Sequence, residues 1–303
     1  MRVGIVGASP GNGHPFSFSA IVNGFDDGAF AKSGWGVIHG YLKRQPPTAF
    51  GFEGVRITHA WTQDPGVTDR LCGACRIPSA SPSLAELVDA VEAVIIARDD
   101  WETHFEMASV ALAAGKPVFV DKPLTLDPSQ LEVLAPHLEA GRLMTTSGLR
   151  YAAELDCLRG RQTGLGPLRL VEGVVLNELT RYGIHLLEAV AGLGLGSPRR
   201  ITRLDTGHVS FLFHLDSGLP FTLHCLGPVA KTFSLHFFGE NGHGQFDLHD
   251  NFTAFRRTLG EFFQMCQTGR PPIDPAQTRR LIHTLIRAPE LAPGATVDLQ
   301  DLG

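Results

Sequence analysis

Residues 93–123 read AVIIARDDWETHFEMASVALAAGKPVFVDKP. The run Val94-Ile95-Ile96 is apolar and β-branched, the composition of a buried strand. Phe105, Met107, Val110, Ala111 and Ala114 then keep helical spacing, and Gly115 stops them. Pro117 to Val120 reads as a second buried strand, which runs into Asp121-Lys122-Pro123. Strand, helix and strand at this length predict a right-handed crossover in a parallel sheet. Ligands of such sheets gather outside the carboxyl ends of the strands. That rule puts Asp99, Asp100 and Lys122 at one rim, with Pro123 biasing Lys122 toward an extended conformation. A lysine held there is a candidate acid or base.

The amino terminus carries a second pointer to the same rim. Arg2 to Gly7 predicts a strand running straight into Ala8-Ser-Pro-Gly-Asn-Gly-His14, with a helix expected near Pro15. Strand, glycine-rich turn and helix offer backbone N–H groups and a helix dipole to a pyrophosphate. Gly7 fits the first position of GxGxxG, while Ser9 and Asn12 stand at the second and third glycine positions. Read as Gly7-x-x-x-Gly11-x-Gly13, the turn is similar to that of short-chain dehydrogenases. Those enzymes need Tyr-x-x-x-Lys, and none of Tyr41, Tyr151 and Tyr182 has a lysine four residues on. Gly7, Ser9, Pro10, Gly11, Asn12, Gly13 and His14 are the expected nucleotide-binding turn.

Val55 to Trp61 predicts the next strand. In NAD-binding sheets an acid at the end of this strand holds the ribose hydroxyls. Here the end is Trp61-Thr62-Gln63-Asp64. Thr62 and Asp64 are the candidates, although Asp64 reads equally well as the cap of a helix beginning at Pro65. NAD and NADP both stay open, with a lean to NAD. Residues 24–54 form a long connection rich in Gly, Pro and aromatics. It is expected to cover the cofactor, pack on a neighbouring subunit or run over the surface.

The succession of strand, polar turn, His104, helix, Ala-Gly-Lys-Pro-Val, strand and acidic-Lys-Pro resembles the Gfo/Idh/MocA oxidoreductases, the family of glucose-fructose oxidoreductase and inositol dehydrogenase. The resemblance covers nearly the whole chain and is most specific in its first half. It implies a fold of two parts: a Rossmann-type doubly wound parallel sheet over residues 1–150, then an α+β domain with a largely antiparallel open sheet over residues 151–303. It also implies NAD or NADP as cofactor, with Asp121, Lys122, His104, Ala97 and Asp99 beside it. In that family the lysine of Glu-Lys-Pro lies between nicotinamide and substrate, and here the triplet is Asp121-Lys122-Pro123. Ser147-Gly-Leu-Arg150-Tyr151 matches the place where relatives leave the nucleotide domain, so Arg150 is a candidate substrate ligand.

The family also carries Asp-x-Gly-x-His on a helix, whose histidine reaches the substrate hydroxyl. Gly183-Ile184-His185 matches the last three positions, and Arg181 stands where the aspartate would be. His185 therefore joins Lys122 as an expected acid–base group, since hydride transfer leaves a proton that the protein must accept. Arg181 and Arg150 suggest an anionic group on the substrate. An ion pair of Arg181 with Asp99 or Asp100 is the structural alternative.

Beyond Arg150, residues 152–162 read as helix, and strands set in from Pro198. Asp216-Ser217-Gly218 marks a hairpin turn between strands that read as apolar on both faces. That pattern predicts helices over one face and another subunit over the other, a homodimer or homotetramer through this sheet. His208, His214, His224 and His236 alternate on these strands without convergent carboxylates, which favours sheet-face residues over metal ligands. Helices are expected over 252–267 and 275–287.

The composition fits this reading. With 303 residues, 43% hydrophobic and 19% charged, the chain has an ordinary globular balance and room for two domains. A formal net charge of −5 gives no basic footprint for nucleic acid. No apolar run has membrane-spanning length, and no signal-type leader precedes the first strand, so a cytoplasmic protein is expected. The five cysteines include Cys72-Gly-Ala-Cys75, a lone CxxC without the second pair that a zinc site needs, so no metal is expected. Three functions fit: a dehydrogenase of a sugar, cyclitol or nucleotide-sugar; a lyase or glycosidase working by transient oxidation with tightly held NAD; and a nucleotide-binding protein without catalysis. The intact Asp121-Lys122-Pro123 and His185 favour the first.

Overall fold

A computed structural model describes residues 1–160 and 164–299. They divide into two units. One comprises Met1–Thr125, Glu132–Thr145 and Phe255–Pro272; the other comprises Leu126–Leu131, Thr146–Ala254 and the chain from Ile273 onward.

The first unit is built on β1 (Arg2–Val6), β2 (Arg56–Trp61), β3 (Ser79–Ala80), β4 (Ala93–Ile96), β5 (Val118–Val120) and β6 (Leu143–Thr145). All neighbours are parallel, in the order β3-β2-β1-β4-β5-β6. This is the doubly wound order whose direction reverses between β1 and β4, the point where such sheets take up nucleotides. The strands are fully buried at Ile5, Val6, Val94, Ile95, Ile96 and Val120, hence their unbroken apolar runs. The connections carry α1 (His14–Asn23), α2 (Asp27–Ala31), α3 (Gly36–Lys43), α4 (Pro65–Ala74), α5 (Leu84–Ala90), α6 (His104–Ala113) and α7 (Pro128–Glu139). Pro15 lies in the first turn of α1 and Ser83 caps α5, as the residues predict. Gly115, at φ 73°, ends α6 in the left-handed conformation that favours glycine.

Residues 24–54 are not a structureless connection. Asp26 accepts from Ala29 N–H and caps α2, and α3 follows after a short turn. Phe30 and Leu42 are buried within the unit. The Phe30 ring packs edge-on to Phe16 and Phe25 and stacks on His39, with centroids 5.4 to 6.1 Å away. Arg256 Nε donates to Ala49 O at 2.7 Å, and its guanidinium lies 4.8 Å from the centre of the Phe52 ring. The aromatic richness of this stretch therefore reflects a satellite core.

The second unit contains β7 (Leu168–Val175), α8 (Ile184–Gly192), β8 (Pro198–Leu204), β9 (Val209–Leu215), β10 (Pro220–Cys225), β11 (Phe233–Gly239) and β12 (Gly242–Asp247). Next come α9 (Asn251–Thr268), whose residues from Phe255 belong to the first unit, α10 (Pro275–Arg287) and β13 (Thr296–Asp298). The seven strands run β12-β11-β7-β10-β9-β8-β13, antiparallel throughout except for the β7–β10 pair. The α/β class with an antiparallel second sheet agrees with the sequence reading.

Three details do not agree. The central strand β7 escaped the sequence reading, because Gly173 interrupts its alternation. A Cβ there would lie 2.9 Å from the Phe221 ring and 3.2 Å from Leu186, so the glycine marks a close approach. Residues 152–162 hold no α-helix among those described: Gly148–Tyr151 and Ala153–Leu158 are 3₁₀ turns, and Arg161 and Gln162 lie outside the described residues. The strands are not apolar on both faces. On β10, Phe221, Leu223 and Cys225 are buried, while Pro220, Thr222 and His224 between them are half-exposed. Half-exposed apolar residues such as Leu170, Leu212 and Phe238 had hidden that period of two.

If residues 24–54 are part of the core, Phe30→Ala should cost about 3–5 kcal/mol, the range for a fully buried phenylalanine. Urea denaturation reads this directly, and a loss under about 1 kcal/mol would place the segment outside the folding unit.

Candidate active site

The rim between β1 and β4 is built by short-range geometry. Gly7 must be glycine, since a Cβ would stand 2.5 Å from Pro15 Cγ at the head of α1. Gly11, at φ 77°, turns the exposed tip together with Pro10. Ser9 Oγ donates to Asp99 Oδ1 at 2.6 Å and accepts from Asp99 N–H at 3.3 Å, which joins this turn to the end of β4. Asn12 Oδ1 accepts from His14 N–H at 2.8 Å. The Asn12 side-chain NH₂ is buried and has no hydrogen-bond partner among the described residues. A buried donor at a helix N-terminus fits a phosphate oxygen, so these residues suit a dinucleotide.

Two residues outside the sequence prediction brace the turn. Arg98, buried at the end of β4, binds the Asp100 carboxylate through Nε at 2.8 Å and through Nη2. Its Nη1 donates to Gln63 Oε1 at 2.7 Å. Gln63 in turn accepts from Ala8 N–H at 3.2 Å and donates to Ala8 O at 2.5 Å. Asp100 thus has a local cationic partner on its own loop. The ends of β2 and β4 grip the glycine-rich turn through one guanidinium and one amide.

Asp121 is buried and bonded on both oxygens. Oδ2 lies 2.5 Å from His14 Nδ1, and Oδ1 accepts from Lys122 N–H at 3.0 Å. Burial would raise this carboxyl, yet the charge and hydrogen bond of His14, helped by Lys122, hold it below the usual carboxylate range. The His14 ring is stacked on Phe18 and edge-on to Phe255, with centroids 5.2 and 5.0 Å away. Lys122 is buried, and both Lys122–Pro123 and Gly7–Ala8 are cis peptides.

Other expected ligands are engaged elsewhere. Ala97 is fully buried and its N–H donates to Val6 O at 2.8 Å. Thr62 is buried, with its hydroxyl on Asp64 O at 2.7 Å and Thr68 Oγ1 at 2.9 Å. Asp64 accepts from Gly66 and Val67 N–H as the cap of α4, the second of its two readings. His104 is fully buried, with Nδ1 2.9 Å from Pro123 O and Nε2 3.1 Å from Arg98 O. It therefore staples the β4 loop to the β5 loop.

In the second unit, His185 opens α8 after a π-type turn, Leu179–Gly183. Its Nδ1 lies 2.6 Å from Ser147 Oγ, and its ring is perpendicular to that of Phe233. Arg150 is buried, with Nη1 2.6 Å from Glu188 Oε2 and Nη2 on Gln277 Oε1. Arg181 is exposed on the π-type turn. Ser147, Glu188 and Gln277 were not foreseen; the first two stand three residues from Arg150 and His185 in the chain, and Gln277 is near no expected residue. The sheet histidines pair among themselves: His208 Nε2 lies 3.1 Å from His224 Nδ1, and His236 Nε2 lies 2.8 Å from His243 Nδ1. Burial pushes the Cys72 thiol up to about 11 and raises Cys75 as well, so both remain protonated at neutrality. Among the described residues no group of three His, Cys, Asp or Glu could hold a metal, and no helix is long and apolar enough to cross a membrane.

The strand order, the glycine-rich turn and its buried unpaired donor define a nucleotide-binding Rossmann domain. Residues 1–147 match the Gfo/Idh/MocA family, described as "Oxidoreductase family, NAD-binding Rossmann fold". A protein described as a UDP-kanosamine synthase oxidoreductase subunit, from Amycolatopsis mediterranei (strain S699), is 30% identical over 109 residues. That alignment covers 36% of this chain and only 30% of the relative. Among solved structures, myo-inositol 2-dehydrogenase from Lactobacillus plantarum superimposes with a TM-score of 0.76 at 15% identity over 99% of both chains. GenD2 from gentamicin A biosynthesis, in complex with NAD, gives 0.74 at 16% identity over 99% of this chain and 96% of its own. UDP-N-acetylglucosamine 3-dehydrogenase from Acidithiobacillus ferrooxidans gives 0.67 at 18% over 95% and 96%. At such identities the likeness establishes the fold, across both units.

The His104 staple has a pH signature. Burial lowers the proton affinity of its ring below the ordinary 6.5, although Asp121 and the two carbonyls oppose the shift. The unfolded chain then binds a proton that the folded one refuses. The staple's contribution is complete above pH 6.5 and is lost as pH falls below it. Thermal melts between about pH 7.5 and 5.5 should show a larger loss for the natural protein than for His104→Gln. Parallel curves would show that His104 is not the group responsible.

Proposed function

We propose that the protein is a cytoplasmic NAD(P)-dependent oxidoreductase acting on a hydroxyl-bearing carbon of a sugar, cyclitol or nucleotide-sugar. Residues 1–150 form the dinucleotide-binding domain, and residues 151–303 the substrate-binding and oligomerisation domain. The observation that carries the reading is the Asp121-Lys122 arrangement. A buried carboxylate ties the backbone of the lysine to His14 of the glycine-rich turn, so the amine is referred to the same turn that would hold the pyrophosphate.

Gly7, Ser9, Gly11, Asn12, Gly13 and Asp99 would hold the dinucleotide, and the lean is to NAD. A nicotinamide bound there would supply the hydride acceptor for oxidation of the alcohol to a carbonyl. Lys122 and His185 handle the proton that leaves oxygen, the assignment that the family resemblance implies. Substituting a positioned acid–base group costs about 10²- to 10⁴-fold in rate. Arg181 is exposed and would add affinity for an anionic group on the substrate; Arg150, held by Glu188 and Gln277, supports the fold around it. The half-exposed face of the second sheet, with Leu170, Leu212 and Phe238, supports a homodimer or homotetramer through that sheet.

Purified protein should reduce NAD with one of a panel of inositols, hexoses and UDP-sugars, followed by NADH absorbance, with copurifying nucleotide identified by mass spectrometry. Lys122→Met should lower kcat by about 10²-fold or more while NADH still binds, as read by its fluorescence. Near-normal turnover in that variant would remove Lys122 from the chemistry. Arg181→Ala should raise KM for phosphate- or carboxylate-bearing substrates and leave it unchanged for neutral ones. An equal rise for both would end the anion assignment.

A further inference from the structure

We propose that Ser147 fixes the tautomer of His185, so that the resting neutral imidazole carries its proton on Nε2 and offers that nitrogen as a proton donor. The inference deepens the proposed dehydrogenase reading and rests on it for the role of His185 toward substrate. The tautomer itself does not depend on that reading.

Ser147 follows β6 by two residues and is fully buried. Its Oγ accepts from Leu149 N–H at 3.1 Å, capping the 3₁₀ turn Gly148–Tyr151. Among the described residues, the remaining partner of that hydroxyl is His185 Nδ1, at 2.6 Å. A hydroxyl has one proton to give. If Nδ1 were protonated, Oγ would face two N–H donors and its own hydrogen would be buried without an acceptor, which is costly. Satisfying the Ser147 hydroxyl requires the opposite arrangement: Ser147 O–H donates to an unprotonated Nδ1, and the neutral ring keeps its hydrogen on Nε2.

The position of Arg181 gives this contact its meaning. Where the family resemblance places an aspartate one helical turn before the histidine, this chain has a side chain with donors only. An aspartate there could accept Nδ1–H and leave Nε2 as a base. A guanidinium cannot, and Ser147 imposes the reverse polarity. Ser147 is thus a positioning residue.

The test is a long-range ¹H–¹⁵N correlation spectrum of the full-length protein labelled with ¹⁵N in its histidine rings, at about pH 8 where free imidazole is neutral. The His185 signals are assigned by their loss in His185→Gln. The expected pattern is a pyridine-type Nδ1 and a pyrrole-type Nε2. Ser147→Ala should turn it into a mixture of tautomers, and Ser147→Thr, which keeps the hydroxyl, should restore it. A pyrrole-type Nδ1 in the natural protein, or an unchanged pattern in a folded Ser147→Ala, overturns the proposal. Should Ser147→Ala fail to fold, the spectrum of the natural protein decides alone. With a substrate in hand, Ser147→Ala should lower kcat by about tenfold or more at unchanged KM, with recovery in Ser147→Thr. Absence of turnover on every substrate would count against the dehydrogenase reading and leave the spectrum to judge the tautomer.

Discussion

A carboxylate removed from water keeps its charge only if partners replace its hydration. Asp121 meets that condition with His14 on one oxygen and the Lys122 N–H on the other. The two bonds join the end of β5 to the head of α1, two places that the chain separates by 107 residues. The glycine-rich turn and the lysine are thereby held as one piece. The Arg98–Gln63–Ala8 chain and the His104 staple extend the same bracing to the ends of β2 and β4. These polar links gather at the carboxyl ends of the strands, where a parallel sheet has no further ladder to offer.

The second unit solves a different problem. Its seven-stranded sheet buries one face on α8 and α10, with Phe211, Phe213, Phe221 and Phe237 at the centre of the core. The cations and acids near His185 are mostly paired within the unit, as in Arg150 with Glu188. Removing either partner would strand a buried charge, so this pair acts as framework. The histidine, in contrast, is tied on one nitrogen by a neutral hydroxyl. Such a partner sets the orientation of the ring without adding charge beside it.

Helix caps, the Rossmann halves and the acidic-Lys-Pro corner were legible because each is written in a few consecutive residues. Pro15, Ser83 and Gly115 act through their own backbones, and Val94-Ile95-Ile96 needs no partner to declare itself buried. The connection 24–54 misled for the same local reason: Gly and Pro punctuate it, while the Phe30 packing on Phe16, Phe25 and His39 that gives it a core shows only once the helices fold together. β7 was hidden by a glycine whose purpose is visible only when Phe221 and Leu186 are placed against it.

The sequence alone determined the class of fold, the glycine-rich turn, the corner with Lys122 and the family model that the first 147 residues match. These follow from periodicity and short motifs, which a chain carries wherever it folds. Tertiary structure alone decided which distant groups each candidate meets within the fold. Arg98 reaches Gln63 across 35 residues and Ser147 reaches His185 across 38. No local pattern encodes such pairs, because hydrogen bonds at that separation depend on where the strands end in space.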